Sequence, residues 1–249
     1  MENSVKFLFS GDSALVIEFG NEISVDINKK IRKMMDNIKK ENIDGIVELV
    51  PTYCSLLVNY DVLKIDYQSL VEKLKTLLNG DNETVEDEEV TLIEIPTLYD
   101  DECGPDLSYV AEYNKLSKEE VIKIHTGTDY LVYMLGFMPG FTYLGGMSEK
   151  IATPRLESPR LQIYPGSVGI AGKQTGMYPS MSPGGWRIIG RTPLKLYNPN
   201  SETPVYISSG DYIRYVSISE EEYNNILKKV ENNEYKLNIH RVKRGELNA

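Results

Sequence analysis

Cysteine and histidine are nearly missing from this sequence. The 249 residues hold two cysteines, Cys54 and Cys103, and two histidines, His125 and His240. Two cysteines in a chain this long exclude a disulfide framework as the source of stability. The four residues lie far apart, and no CxxC or HExxH spacing occurs, so neither a metal nor a covalent cofactor is expected. A Ser–His–acid triad would have only His125 or His240 to draw on, and there is no G-x-S-x-G elbow. His125 reads instead as a helix-end residue set against last-turn carbonyls. Cys54, within Pro51-Thr52-Tyr53-Cys54-Ser55-Leu56-Leu57, reads as an inert thiol in a strand. No apolar run approaches the roughly 20 residues that span a bilayer. The start, Met1-Glu2-Asn3-Ser4-Val5, lacks a basic region followed by an apolar run, so no signal peptide is expected and the location expected is cytoplasmic. Basic residues are in deficit: 27 Lys and Arg against 37 Asp and Glu give a net charge of −10. Such a surface repels phosphate backbones and anionic lipid, which argues against nucleic acid and membrane partners.

With 41% apolar and 26% charged residues, the chain has the composition of an ordinary globular protein able to bury a core. Apolar alternation predicts strands at Val5–Phe9 and Ala14–Phe19, joined by a Gly11-Asp12 turn. Ile27, Ile31, Met34 and Ile38 recur at helical spacing, with Ser24 as N-cap and Asp44-Gly45 as stop. Strands at Ile46–Val50 and Ser55–Tyr60 follow, then a helix carrying Leu70, Leu74 and Leu77 and closed by Asn79-Gly80. The order ββαββα predicts a small α+β layer with helices on one face of a sheet. The acidic stretch Asp81–Glu89 reads as a solvated linker. Residues 1–86 are therefore expected to form an N-terminal α+β domain, and residues 87–235 a β-rich domain, followed by a polar tail over 236–249.

The second part opens with a strand at Val90–Pro96 and a short helix at Asp106–Tyr113. Ser117 and Glu120 form a capping-box pattern for a helix running to His125, and Tyr130–Leu135 reads as a strand. From Gly136 to Pro193, Gly and Pro punctuate every few residues, which forbids long helices and favours short strands with tight turns. Leu194–Tyr197, Val205–Ile207 and Tyr212–Ile218 read as further strands. Ser219 and Glu222 repeat the capping box before a helix over Glu220–Val230.

Polar side chains concentrate among these turns. Arg155, Arg160, Gln174, Tyr178, Trp186, Arg191 and Thr192 are the candidate substrate-binding residues. An Arg fork matches a carboxylate, while Tyr and Trp wall a small site and orient its ligand. The competing reading gives the arginines ordinary surface ion pairs and places Trp186 in the core. Gly166, Gly169, Gly172 and Gly176 either present backbone N–H groups to an anion or carbonyl oxygen, or simply supply positive φ at turns. The run from Pro165 to Gly176 is not a P-loop: its glycines have the wrong spacing before Lys173, and Gln174 stands where Ser or Thr should be. No catalytic residue stands out.

One longer block, Gly136-Phe137-Met138-Pro139-Gly140-Phe141-Thr142-Tyr143-Leu144-Gly145-Gly146, resembles a signature of the KipI / allophanate hydrolase subunit 1 family. Pro154-Arg155, Pro159-Arg160, Gly166 to Gly176, Tyr178-Pro179, Pro183-Gly184-Gly185-Trp186 and Ile189-Gly190-Arg191-Thr192-Pro193 extend the resemblance. So do Gly11-Asp12-Ser13-Ala14-Leu15, Pro51-Thr52-Tyr53 with Ser55-Leu56-Leu57, and Gly104-Pro105-Asp106-Leu107. The resemblance implies a small N-terminal α+β domain followed by a cyclophilin-like β-barrel. It also implies the role of many bacterial members, the B subunit of an ATP-dependent 5-oxoprolinase that opens 5-oxo-L-proline to L-glutamate. The implied partners are a C subunit, similar to allophanate hydrolase subunit 2 and expected as a separate chain, and an A subunit. ATP is the implied cosubstrate of the assembled complex. Two alternatives come from the same family: an inhibitor of a sporulation histidine kinase, and a carboxyltransferase subunit related to urea carboxylase.

Overall fold

The computed structural model describes residues 5–78 and 89–248. They fall into two compact units, Met1–Val85 and Glu86–Ala249. The expected linker over Asp81–Glu89, the helix stop at Asn79-Gly80 and the boundary after residue 86 lie almost wholly outside the described residues, which resume at Glu89.

In the first unit β1 (Lys6–Phe9), β2 (Ala14–Glu18), β3 (Ile46–Pro51) and β4 (Ser55–Tyr60) form an antiparallel sheet in the order β1-β2-β4-β3. Helices α1 (Val25–Glu41) and α2 (Tyr67–Leu78) complete the ββαββα order. The period-two alternation turns Leu15, Ile17, Leu56 and Val58 to one face, where they meet Ile27, Ile31 and Met34 of α1 and Leu70 and Leu74 of α2. Ser24 caps α1 by accepting from the Asp26 N–H at 3.2 Å. The helix ends before Asp44-Gly45, because Asn42 takes the left-handed conformation (φ 49°) and its N–H closes on the Ile38 carbonyl.

In the second unit β5 (Glu89–Thr97), β6 (Asp129–Leu135), β7 (Thr142–Gly145), β13 (Tyr212–Ser217) and β14 (Ile239–Lys243) form a five-stranded sheet, ordered β14-β5-β13-β6-β7. Within it β5 and β13 pair in parallel and the other neighbours antiparallel. A three-stranded sheet holds β9 (Ser167–Ala171) between β10 (Gln174–Met177) and β12 (Arg187–Arg191), and a two-stranded one joins β8 (Arg160–Ile163) to β11 (Ser182–Gly184). The unit is thus mixed α/β with open sheets. Their edges meet: Leu98, just past β5, exchanges two hydrogen bonds of 2.9 Å with Arg191, and β7 lies beside β10. Ile93, Ile95, Val132, Val168, Ile170 and Ile189 then share one core, closed by Leu107 and Val110 of α3 (Leu107–Tyr113) and Val121 of α4 (Lys118–Thr126). Both capping boxes form, at Ser117 before α4 and at Ser219 before α5 (Glu220–Glu231).

Three segments differ from expectation. Leu194–Tyr197 and Val205–Ile207 are irregular, although Leu194, Leu196 and Ile207 are buried in the core. Pro193 and Pro204 lack donors, and these stretches anchor side chains without joining a ladder. The tail, expected only as a polar segment, supplies edge strand β14 against β5. His125 does not face last-turn carbonyls. Its ring is fully buried, with Nδ1 2.8 Å from the Tyr99 hydroxyl and Nε2 2.8 Å from Thr175 Oγ1.

Candidate functional site

A knot of aromatic rings organises the Gly/Pro-rich stretch. Phe141 makes edge contacts with Tyr143, Tyr178 and Trp186, at centroid distances of 5.2, 5.5 and 5.6 Å. Tyr178 and Trp186 meet edge-on at 6.3 Å. Edge-to-face packing suits the ring quadrupoles and fixes each ring against its neighbours. Ile163, Ala171 and Ile188 complete this second, smaller core. Tyr178 projects from just past β10 and Trp186 from just before β12, so the two strands that flank β9 in the sheet hold both. Gly184 permits the arrangement, since a Cβ there would lie 2.5 Å from the Tyr178 hydroxyl. Burial pushes the Tyr178 phenol up to about 12, while Arg155, the Trp186 backbone and Arg160 act in the opposite direction.

Phe137 stands at the rim. It is 66% exposed and has φ 66°, a backbone region that costs a bulky residue about 1–3 kcal/mol. Its ring meets Phe141 edge-on at 5.6 Å. An aromatic side chain held out to solvent on a strained backbone makes this rim a candidate contact surface.

The arginines separate into different environments. Arg160 forms a two-pronged pair with Asp106, Nη2 to Oδ1 and Nη1 to Oδ2, each 2.9 Å. Asp106 is buried; it also accepts the Ile188 N–H at 2.7 Å and has Arg187 Nη1 at 3.8 Å. Arg187 in turn lies over the Tyr109 ring, 3.7 Å from its centre. Arg155 is exposed and sits 6.0 Å from the centre of the Trp186 ring. Arg191 lies over a different ring, Tyr164, at 5.3 Å from its centre. Thr192 is buried, donates its N–H to the Gly166 carbonyl and accepts the Leu194 N–H on Oγ1. Gln174 begins β10 opposite Ala171.

The four glycines do not form one array of open N–H groups. The Gly166 N–H is taken by the Tyr178 carbonyl and that of Gly172 by the Thr153 carbonyl. Gly169 and Gly176 are register partners in β9 and β10, with Gly176 against the Trp186 ring. Gly166 needs its φ of +81°, and a Cβ there would collide with the Thr192 carbonyl oxygen. Positive φ is present at Gly166 and Gly172, whereas Gly169 and Gly176 are strand residues packed against Trp186.

Asp106 is the residue sequence reasoning passes over. It stands at the N-cap position of α3, yet its side chain makes no cap hydrogen bond and turns instead to Arg160, 54 residues away. That swap of a local partner for a distant one leaves no periodic signal.

Over residues 5–207 the chain matches the model of a family described as "Carboxyltransferase domain, subdomain C and D". The chain belongs to this family. Within the carboxyltransferase domain family it is 45% identical over 223 residues to the B subunit of 5-oxoprolinase from Bacillus subtilis, covering 86% of this chain and 92% of that one. It is 37% identical over 209 residues to the B subunit of 5-oxoprolinase from Escherichia coli O157:H7, covering 83% and 93%. In fold it resembles the urea amidolyase of Kluyveromyces lactis, with a TM-score of 0.79 at 19% identity over 96% of this chain and 16% of that larger one. No helix among the described residues is long and apolar enough to cross a membrane.

Proposed function

We propose that this chain is the B subunit of an ATP-dependent 5-oxoprolinase, a cytoplasmic complex that hydrolyses 5-oxo-L-proline to L-glutamate. The observation that carries the reading is the 45% identity to the B subunit of a bacterial 5-oxoprolinase across nearly the full length of both chains. The two other subunits are an A subunit and a C subunit, and catalysis needs all three. ATP serves as cosubstrate: its terminal phosphoryl passes to the amide oxygen with ADP leaving, water adds at the activated carbon, the ring C–N bond breaks with the amine leaving, and a second water takes the phosphoryl group as phosphate. No residue of this chain is assigned to these steps.

The part given to this subunit is recognition of a small cyclic amide bearing a carboxylate. The knot of Phe141, Tyr143, Tyr178 and Trp186 offers a rigid apolar wall, and arginines border it. Preorganised donors of this kind stabilise charge without moving during the reaction. Gln174, which begins β10, and Arg191 and Thr192, at the end of β12, stay in the proposal as supports of the same strands.

The test is reconstitution with cognate A and C subunits, following glutamate released from 5-oxo-L-proline and ATP. Turnover is expected only when all three chains are present. Equal turnover without this chain overturns the reading.

A further inference from the structure

We infer that Arg155, lying over Trp186, is the anchor for a ligand carboxylate, and that Arg160 is a positioning residue held by Asp106. The choice of 5-oxo-L-proline as ligand rests on the function proposed above; the division of labour between the arginines rests on their contacts.

Three guanidiniums are candidates for a carboxylate. That of Arg160 already has one, since both of its Nη atoms are matched to Asp106 and Nη1 also reaches the Trp186 carbonyl at 3.4 Å. A ligand would have to displace a buried protein carboxylate that also holds the Ile188 N–H. Arg191 has its Nε buried without a partner among the described residues, and its guanidinium lies over the Tyr164 ring at 5.3 Å rather than over Trp186, so only its Nη–Nη edge is left and that edge belongs to a different aromatic neighbour.

Arg155 differs on each point. It is exposed, and no carboxylate among the described residues pairs with it. It sits over the indole at 6.0 Å, within range of a cation–π contact that leaves the edge of the fork open. Its position is not loose. The adjoining Leu156 N–H bonds the Gly185 carbonyl at 2.7 Å, tying the Arg155 loop to the loop that carries Trp186. Trp186 is itself only 6% exposed and wedged between Phe141 and Tyr178. A small ring bearing a carboxylate would place its charge on the Arg155 fork and its ring at the rim of the aromatic knot, where Phe137 is exposed and Phe141 and Trp186 are buried behind it.

Trp186 is the single tryptophan in the sequence, so fluorescence of the full chain reads this place directly. The chain is titrated with 5-oxo-L-proline and with its carboxamide, which keeps the ring and loses the charge. A saturable change is expected with the acid. Loss of a charged hydrogen-bonded pair predicts binding about tenfold weaker for the carboxamide and for Arg155→Gln. Arg155→Lys should recover part of the loss, since it keeps the charge without the fork. Arg160→Gln should lower the melting temperature yet keep the preference for acid over carboxamide. The assignment is overturned if the wild type gives no saturable response, if acid and carboxamide bind alike, or if Arg155→Gln binds as the wild type does. Such a result beside turnover that still depends on this chain leaves the subunit reading standing. Carboxylate binding through Arg155 in a chain that adds nothing to turnover has the opposite meaning.

Discussion

His125 sets burial against charge. Its ring packs 4.4 Å from the Tyr215 ring and 5.5 Å from that of Tyr130. Thr175 donates its single proton to the Gly169 carbonyl at 3.1 Å. His125 Nε2 must then be the donor to Thr175 Oγ1, and Nδ1 accepts from Tyr99. The neutral ring satisfies every partner, whereas a second ring proton would confront the Tyr99 hydroxyl. Burial lowers the His125 pKa to about 3. An unfolded histidine takes a proton near 6.5, so between pH 6.5 and 3 the unfolded state binds more protons than the folded one. Stability is therefore full above about pH 6.5 and falls as the pH drops toward about 3, by about 1.4 kcal/mol per unit. Urea melts at about pH 7, 5.5 and 4.5 check this against His125→Gln, which cannot titrate. The variant should start less stable and lose less over the interval; equal slopes for both chains would count against the account. Gly184 gives a second test at this scale. Gly184→Ala drives a methyl onto the Tyr178 hydroxyl and the Ile163 side chain, and overpacking of this kind costs about 1–3 kcal/mol. A melting temperature equal to wild type would show that the aromatic knot yields.

Among the elements, β14 draws little support from its own side chains and much from its partner strand. Four of its five residues are exposed. Its ladder runs with β5 from Ile239 opposite Ile93 to Lys243 opposite Glu89. Beyond it, Asn248 clasps Asp129: the Asn248 N–H bonds Oδ2 at 2.8 Å and its carbonyl takes the Asp129 N–H at 3.0 Å. Asp129 is buried and doubly bonded to Arg214 at 2.6 and 2.7 Å. Deleting residues 236–249 removes the ladder and the clasp together. We expect a loss on the order of 2 kcal/mol, or about 4–8 °C in melting temperature. The bared β5 edge should also raise self-association, read by light scattering. An unchanged melt would mean the strand adds nothing to stability. The same element shows why part of the fold is illegible in the sequence. Helices α1, α4 and α5 announce themselves through apolar spacing and local caps, and β1 to β4 through alternation. Strand β14 has no such pattern because its pairing comes from backbone groups that any sequence possesses. Leu194 and Leu196 have the alternation and the burial of a strand but no ladder to join. The aromatic residues of the candidate site are legible as a cluster of types. The split between Arg155 and Arg160 is not, because Asp106 lies 54 residues from its partner.

At the scale of the whole molecule, the two units keep separate cores. The first gathers Leu15, Ile31, Leu56 and Leu70; the second gathers Ile93, Val132, Val168 and Ile213, with the aromatic knot beside it. Among the described residues no core side chain is common to both, and each set encloses its own sheets and helices. We propose that the two are independent folding domains. The second, residues 86–249, is of a size that buries enough surface to fold alone. Every residue of the candidate site, from Asp106 to Thr192, belongs to it. Expressed by itself, this part should unfold in one cooperative transition followed by Trp186 emission. It should also keep the carboxylate-dependent fluorescence change and its loss in Arg155→Gln. A broad transition, or red-shifted emission from an opened aromatic knot, would mean that the first unit is needed to hold the second in shape. The carboxylate anchor would then be a property of the whole chain rather than of the domain that carries it.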